Sequence, residues 1–373
     1  MKNRFFIFCS LLVCARIFGQ TTPSVEHFNK GVQYSNSKNY ELAVASYSSS
    51  IALDALNLRA MYNRANCYLS LKQYDKALSD FDKVIAMDQD FAKAYLYKGY
   101  TQLLKGEYGS SISTFTNAIG KDPELAKAYG YRGTAYMRLD DDKAAIDDFN
   151  MSIAKGEHTY AMFLNRAICK SNIDDIQGAL ADYNAAADLN PNQVAPAIEK
   201  SKIFLQLSKW NEAISEITYA LKQNPSDADL YYYRGYAKLM KEDLSGSVND
   251  FNICLQINPH HENALKNKAI TSFKIGKFDE AAADYTTLLK KNSKSAEIYA
   301  LRGTCHLELK NYDLALGDFS SAISYKKDFA EAYFNRANTY TKLLDMKKAC
   351  SDIKESLHLG YEPARSHINS LCK

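Results

Sequence analysis

The sequence is poor in the residues that break regular structure. It has 7 prolines and 16 glycines in 373 residues, which excludes a collagen-like or low-complexity chain. Tryptophan occurs once. The longest apolar run, Phe5 to Ala15, has 11 residues, too few to span a bilayer, and no second run approaches that length. Although cysteine occurs 8 times, no two are spaced as C-x-x-C and none clusters with histidine, so a zinc site has no support. An excess of either charge is also missing. The formal +3 is carried by Lys2, Arg4 and Arg16, so the chain beyond residue 20 is neutral and lacks the basic footprint of nucleic-acid binding.

Those three cations belong to a segment with its own logic. A charged start, the short apolar run and Gly19 before a cut make residues 1–20 an expected secretory signal, and the setting an exported one, bacterial periplasm or beyond. Leu11-Leu12-Val13-Cys14 has some likeness to a lipoprotein box, but Val13 stands where a small residue is required, which leaves lipid anchoring as the minor alternative.

What the chain does have is a period. Written in rows of 34 from Ser24, residues 24–363 align as ten rows without an insertion. Position 8 is always small: Gly31, Ala65, Gly99, Gly133, Ala167, Ser201, Gly235, Ala269, Gly303, Ala337. Position 20 is alanine or serine throughout, from Ala43 to Ala349. Position 24 is always large: Tyr47, Phe81, Phe115, Phe149, Tyr183, Ile217, Phe251, Tyr285, Phe319, Ile353. Small residues at 8 and 20 let two helices of one row, A and B, approach closely, and the large residue at 24 is expected to fill the gap between neighbouring hairpins. Within a row the apolar residues recur at helical spacing, as in Ala77, Leu78, Phe81, Val84 and Ile85. Pro123, Pro191, Pro225 and Pro259 share position 32, where proline stops helix B before the next helix A.

This pattern resembles the tetratricopeptide repeat family, and the resemblance spans residues 24–363. It implies an all-α fold, a right-handed superhelical solenoid of ten 34-residue hairpins with helices A lining a concave face. Residues 364–373 then supply a C-terminal capping helix, with Ala364, Ile368 and Leu371 on its buried side.

Position 7 is basic in every row, a tempting polyanion stripe. Yet all six arginine rows carry aspartate sixteen residues later: Asp80, Asp148, Asp182, Asp250, Asp318 and Asp352. The arginine fork suits a carboxylate, so internal pairs are expected. Cys67, Cys169 and Cys305 share position 10 and are read as buried fillers. Cys350 and Cys372 lie at similar distances on either side of the turn at Gly360-Tyr361, so they form a candidate disulfide in an oxidising compartment.

Family geometry places positions 2, 5, 6, 9, 12 and 13 of helix A on the concave face. On that basis the candidate ligand groove holds Asn63, Asn66, Tyr97, Tyr100, Tyr131, Asn165, Tyr233, Tyr236 and Asn335. Tyrosine offers a rigid ring with a polar tip, and asparagine can donate to and accept from a backbone. The carboxylate clamp that some members use for chaperone tails is not expected. Lys266 is followed by Ile270, and Asn66 is preceded by Tyr62, so neither completes the lysine–asparagine pair.

The repeats consume nearly the whole chain, and His158, His260 and His261 have no nucleophile or metal partner at telling spacing. The reading is a non-catalytic scaffold without cofactor or metal. It would bind protein or peptide partners in its groove, and neither nucleic acid nor a transmembrane segment is expected. A glycan- or cell-wall-binding module is the alternative.

Overall fold

A computed structural model describes residues 22–372. The expected signal, residues 1–20, lies outside the described residues. Twenty α-helices of 12–14 residues follow one another, two per 34-residue row. They are followed by a 3-10 turn, Glu362–Ala364, and a last helix, Arg365–Leu371. The described residues contain no strand.

Row three shows how the sequence writes a hairpin. Helix A, Ala92–Lys105, ends at Gly106, whose φ of 81° closes the helix in the left-handed conformation that glycine adopts without strain. Helix B, Tyr108–Lys121, ends at an extended Asp122 immediately before Pro123. The left-handed residue recurs at position 15 of every row, and in eight rows it is not glycine: Lys38, Lys72, Asp140, Asp174, Ser208, Glu242, Lys310 and Leu344 have φ between 56° and 66°.

The fold divides into two compact units, one ending at Asn190 and the other starting at Pro191. Rows one to five make the first, rows six to ten and the capping segment the second. Inside each unit, helix A packs on helix B of its own row, and helix B on helix A of the next. Successive A helices also touch through rows one to five, between rows seven and eight, and between rows nine and ten, which gathers these A helices side by side.

All ten position-24 side chains are at most 1% exposed. Burial of each contributes about 2–3 kcal/mol. Their tightest contact differs from the expected inter-hairpin filling. A Cβ placed on Gly99 would meet the Phe115 ring at 2.8 Å, and one on Gly303 would meet Phe319 at 2.9 Å. The ring therefore first seals its own hairpin beneath position 8. Its far side then reaches the next row, as Phe115 does with Ala128 and Tyr131. The physical reason is that position 8 lacks a side chain long enough to keep the ring out.

The charge pairs form as forks. Arg166 donates from Nε and Nη2 to the two carboxylate oxygens of Asp182 at 2.8 and 2.6 Å. The other five arginine rows repeat this at 2.7–2.9 Å. The third nitrogen, Nη1, reaches back to position 25 of the preceding row: Ser48, Thr116, Asn150, Thr218, Thr286 or Ser320. Each of these arginines thus ties its own helix B to the preceding one. Five of the guanidinium groups also lie 5.4–5.7 Å from the ring three residues earlier, at position 4. The internal pairs expected from the sequence thereby consume the basic stripe at position 7 in these rows.

At the C-terminus, Cys350 and Cys372 are joined by a disulfide, with Cα atoms 5.0 Å apart. The segment they fasten covers the last row, where Ala364, Ile368 and Leu371 pack on Ala337, Ile353 and Phe334. Cys67, Cys169, Cys254 and Cys305 are free and buried. Burial pushes the Cys254 thiol to about 11 and Cys305 to about 12, so both stay protonated and unreactive near neutral pH.

Candidate functional site

Helix A supplies every candidate groove residue. Six lie in the first unit and Tyr233, Tyr236 and Asn335 in the second. Many are already engaged. Tyr100 stacks on Tyr131 with ring centroids 4.7 Å apart, and Tyr131 also leans on Phe115 at 6.0 Å. Burial, with Tyr100 and Tyr97 alongside, pushes the Tyr131 hydroxyl up to about 12. Tyr97 sits edge-on to Tyr62 at 6.1 Å. Asn66 donates to the Tyr62 carbonyl oxygen at 2.9 Å, and Asn63 is hydrogen-bonded to the buried Tyr47. Tyr236 meets the edge of Trp210 at 6.2 Å.

Three candidates remain available. Tyr233 is 40% exposed, its ring tilted against that of Tyr232 with centroids 5.2 Å apart. The side-chain amides of Asn165 and Asn335 are half-buried and make no hydrogen bond among the described residues.

The position pattern missed a feature that the structure shows clearly. Between helix A of row eight, Glu262–Lys274, and helix A of row nine, Ala296–Glu308, lies a cavity of about 230 Å³. Ile270, Phe273, Leu301 and Thr304 line it, Tyr285 forms part of its wall, and Lys274 contributes as well. Its sequence signal was Ile270 at position 9 and Leu301 at position 6, apolar where many rows carry asparagine or tyrosine. A second cavity, about 540 Å³ and more polar, is lined by Leu307, Glu308, Lys310, Asn338, Lys342 and His367 among others.

No group of three or more His, Cys, Asp or Glu residues able to hold a metal occurs among the described residues. No helix among them is long and apolar enough to cross a membrane.

Comparison with known families now decides the identity. A tetratricopeptide repeat profile matches residues 58–91, the bounds of row two, and a second such profile matches 198–259 and 267–332. The chain belongs to the tetratricopeptide repeat family. Members of this family are in general non-catalytic scaffolds that bind protein or peptide partners. No curated protein matches. Among solved structures, the chain is similar to YrrB, described as a tetratricopeptide repeat protein with an unusual peptide-binding site. That alignment has 22% identity and a TM-score of 0.47, and covers 50% of this chain and 97% of YrrB. Yeast Tom70 aligns at 15% identity and a TM-score of 0.37 over 94% of this chain and 95% of its own. The MamA protein aligns at 16% identity and a TM-score of 0.42, covering 45% of this chain and 92% of its own.

Proposed function

We propose that this tetratricopeptide repeat protein is an exported, non-catalytic scaffold that holds extended peptide segments of its partners on the A-helix faces of its repeats. The observation that carries the reading is a contrast within one helix. Position 7 is spent on internal forks in the six arginine rows. Position 6, one residue earlier, keeps the exposed ring of Tyr233 and the free amides of Asn165 and Asn335. An open ring and unpaired amides can bind a peptide backbone and its side chains. Export is supported by the Cys350–Cys372 bond, a linkage that persists in oxidising compartments.

A sugar-binding alternative needs open aromatic faces, and the Tyr100 and Tyr131 faces are turned on one another. Crosslinking and pulldown from the native envelope tests the peptide reading, using the wild type beside a triple variant, Tyr233→Ala, Asn165→Ala and Asn335→Ala. Loss of specific partners from the variant is expected. An unchanged partner list removes the A-face from the function.

A further inference from the structure

Position 24 is phenylalanine in five rows, so a bare ring suffices for the hairpin core. Row eight instead has Tyr285, 1% exposed, against the wall of the 230 Å³ cavity. The corresponding tyrosine of row one, Tyr47, has its hydroxyl hydrogen-bonded to Asn63 and Ser35. Among the described residues the Tyr285 hydroxyl makes no hydrogen bond. A tyrosine hydroxyl with no partner in the protein is free to donate to an incoming acceptor. It belongs to the wall of a mostly apolar slot that Thr304 and Lys274 also line.

The slot does not stand alone. Thr304 lines it, and Leu307 and Glu308, one turn further along the same helix, line the polar cavity. Three to four helical residues advance about 5–6 Å. Alternate residues of an extended chain advance about 6.6–6.8 Å. Lys310 and Lys342 at the second cavity enter no ion pair among the described residues, and together they outweigh the single carboxylate of Glu308.

We infer that rows eight to ten form a peptide subsite for the sequence apolar–x–acidic. The apolar side chain enters the slot between Ile270, Phe273 and Leu301, a peptide carbonyl accepts from the Tyr285 hydroxyl, and the acidic side chain two residues on faces Lys310 and Lys342. The inference rests on the peptide-binding reading above and names its substrate class.

The test pans a random heptapeptide display library on the full exported chain, and measures enriched peptides by fluorescence anisotropy. Enrichment of leucine, isoleucine, methionine or phenylalanine with aspartate or glutamate two residues on is expected. Tyr285→Phe should weaken such peptides about three- to tenfold, the worth of one hydrogen bond. Its melting temperature should stay equal or rise, because the core already accepts phenylalanine in other rows; a purely structural tyrosine would instead lose stability. Lys310→Gln with Lys342→Gln should remove the salt dependence of binding and the preference for the acid, without changing the apolar preference. Leu301→Lys should abolish binding. Enriched peptides that lack the pair, or that bind Tyr285→Phe and Leu301→Lys as well as wild type, overturn the subsite. If those peptides are lost instead in the Tyr233, Asn165 and Asn335 triple variant, the scaffold reading stands while the subsite falls. A library that yields no binder overturns both.

Discussion

A guanidinium at position 7 meets three obligations at once. It grips an aspartate below it, reaches an acceptor on the preceding row, and in most rows lies near an aromatic ring. Asp182 is nearly buried, and Lys170, at 2.9 Å, meets it from one point only, so a carboxylate without its arginine fork would be costly. Arg166→Leu should therefore lose about 3 kcal/mol, whereas Arg166→Leu with Asp182→Leu should recover much of that loss. Thermal melts of both variants decide it; equal losses would show that the pair is not what the arginine supports. Lysine in the same position performs worse. Lys268 meets Asp284 from one point, at 3.0–3.1 Å, and burial dominates there, raising the carboxyl above its ordinary value despite the lysine. A raised folded-state value means that Asp284 favours the fold most below the unfolded carboxylate range, and that this support is lost as pH rises through the folded value. Lys268→Arg restores the fork, so its melting advantage should grow from pH 3 to pH 7. An advantage constant across that window would rule out Asp284 as its origin.

At the scale of the helix, legibility depended on whether a constraint selects one residue type. Positions 8, 20 and 24 are volume constraints, and they were readable in every row. The Arg–Asp register was readable because a fork and a carboxylate are specific to each other. The back-bond to position 25 was not, because serine, threonine and asparagine share only an oxygen acceptor. Position 15 was hidden for a related reason. Its left-handed turn is imposed by the need to end helix A and start helix B at once, and lysine, aspartate, serine, glutamate and leucine all submit to it. Which helix-A side chains stay open was not legible, since that depends on whether Tyr100 finds Tyr131 or solvent. The final element carries its own prediction. The 22-residue separation of Cys350 and Cys372 corresponds to about 3 kcal/mol of chain-entropy stabilisation, shared only with the segment it closes. Reduction should speed amide exchange across residues 362–371 and leave rows one to five unchanged. Unchanged exchange in the cap would mean that Ala364, Ile368 and Leu371 hold it without the bond.

For the whole molecule, the decisive fact is that contacts run between neighbours. Inside each unit, each helix packs on the helices next to it in sequence, so a local loss has no direct route to a distant row. Such a chain need not unfold as one block. The single tryptophan makes this measurable, because Trp210 begins helix B of row six and meets Tyr236 of row seven. Its fluorescence therefore reports the second unit, whereas circular dichroism reports all twenty long helices. In denaturant titrations, Arg64→Leu in row two should shift or broaden the dichroism transition and leave the tryptophan midpoint unchanged. Arg234→Leu in row seven should move the tryptophan midpoint to lower denaturant. If both variants move it equally, the repeats unfold as one cooperative body. In that case, stabilisation by a peptide bound at rows eight to ten would spread over the whole chain instead of staying with the rows that hold it.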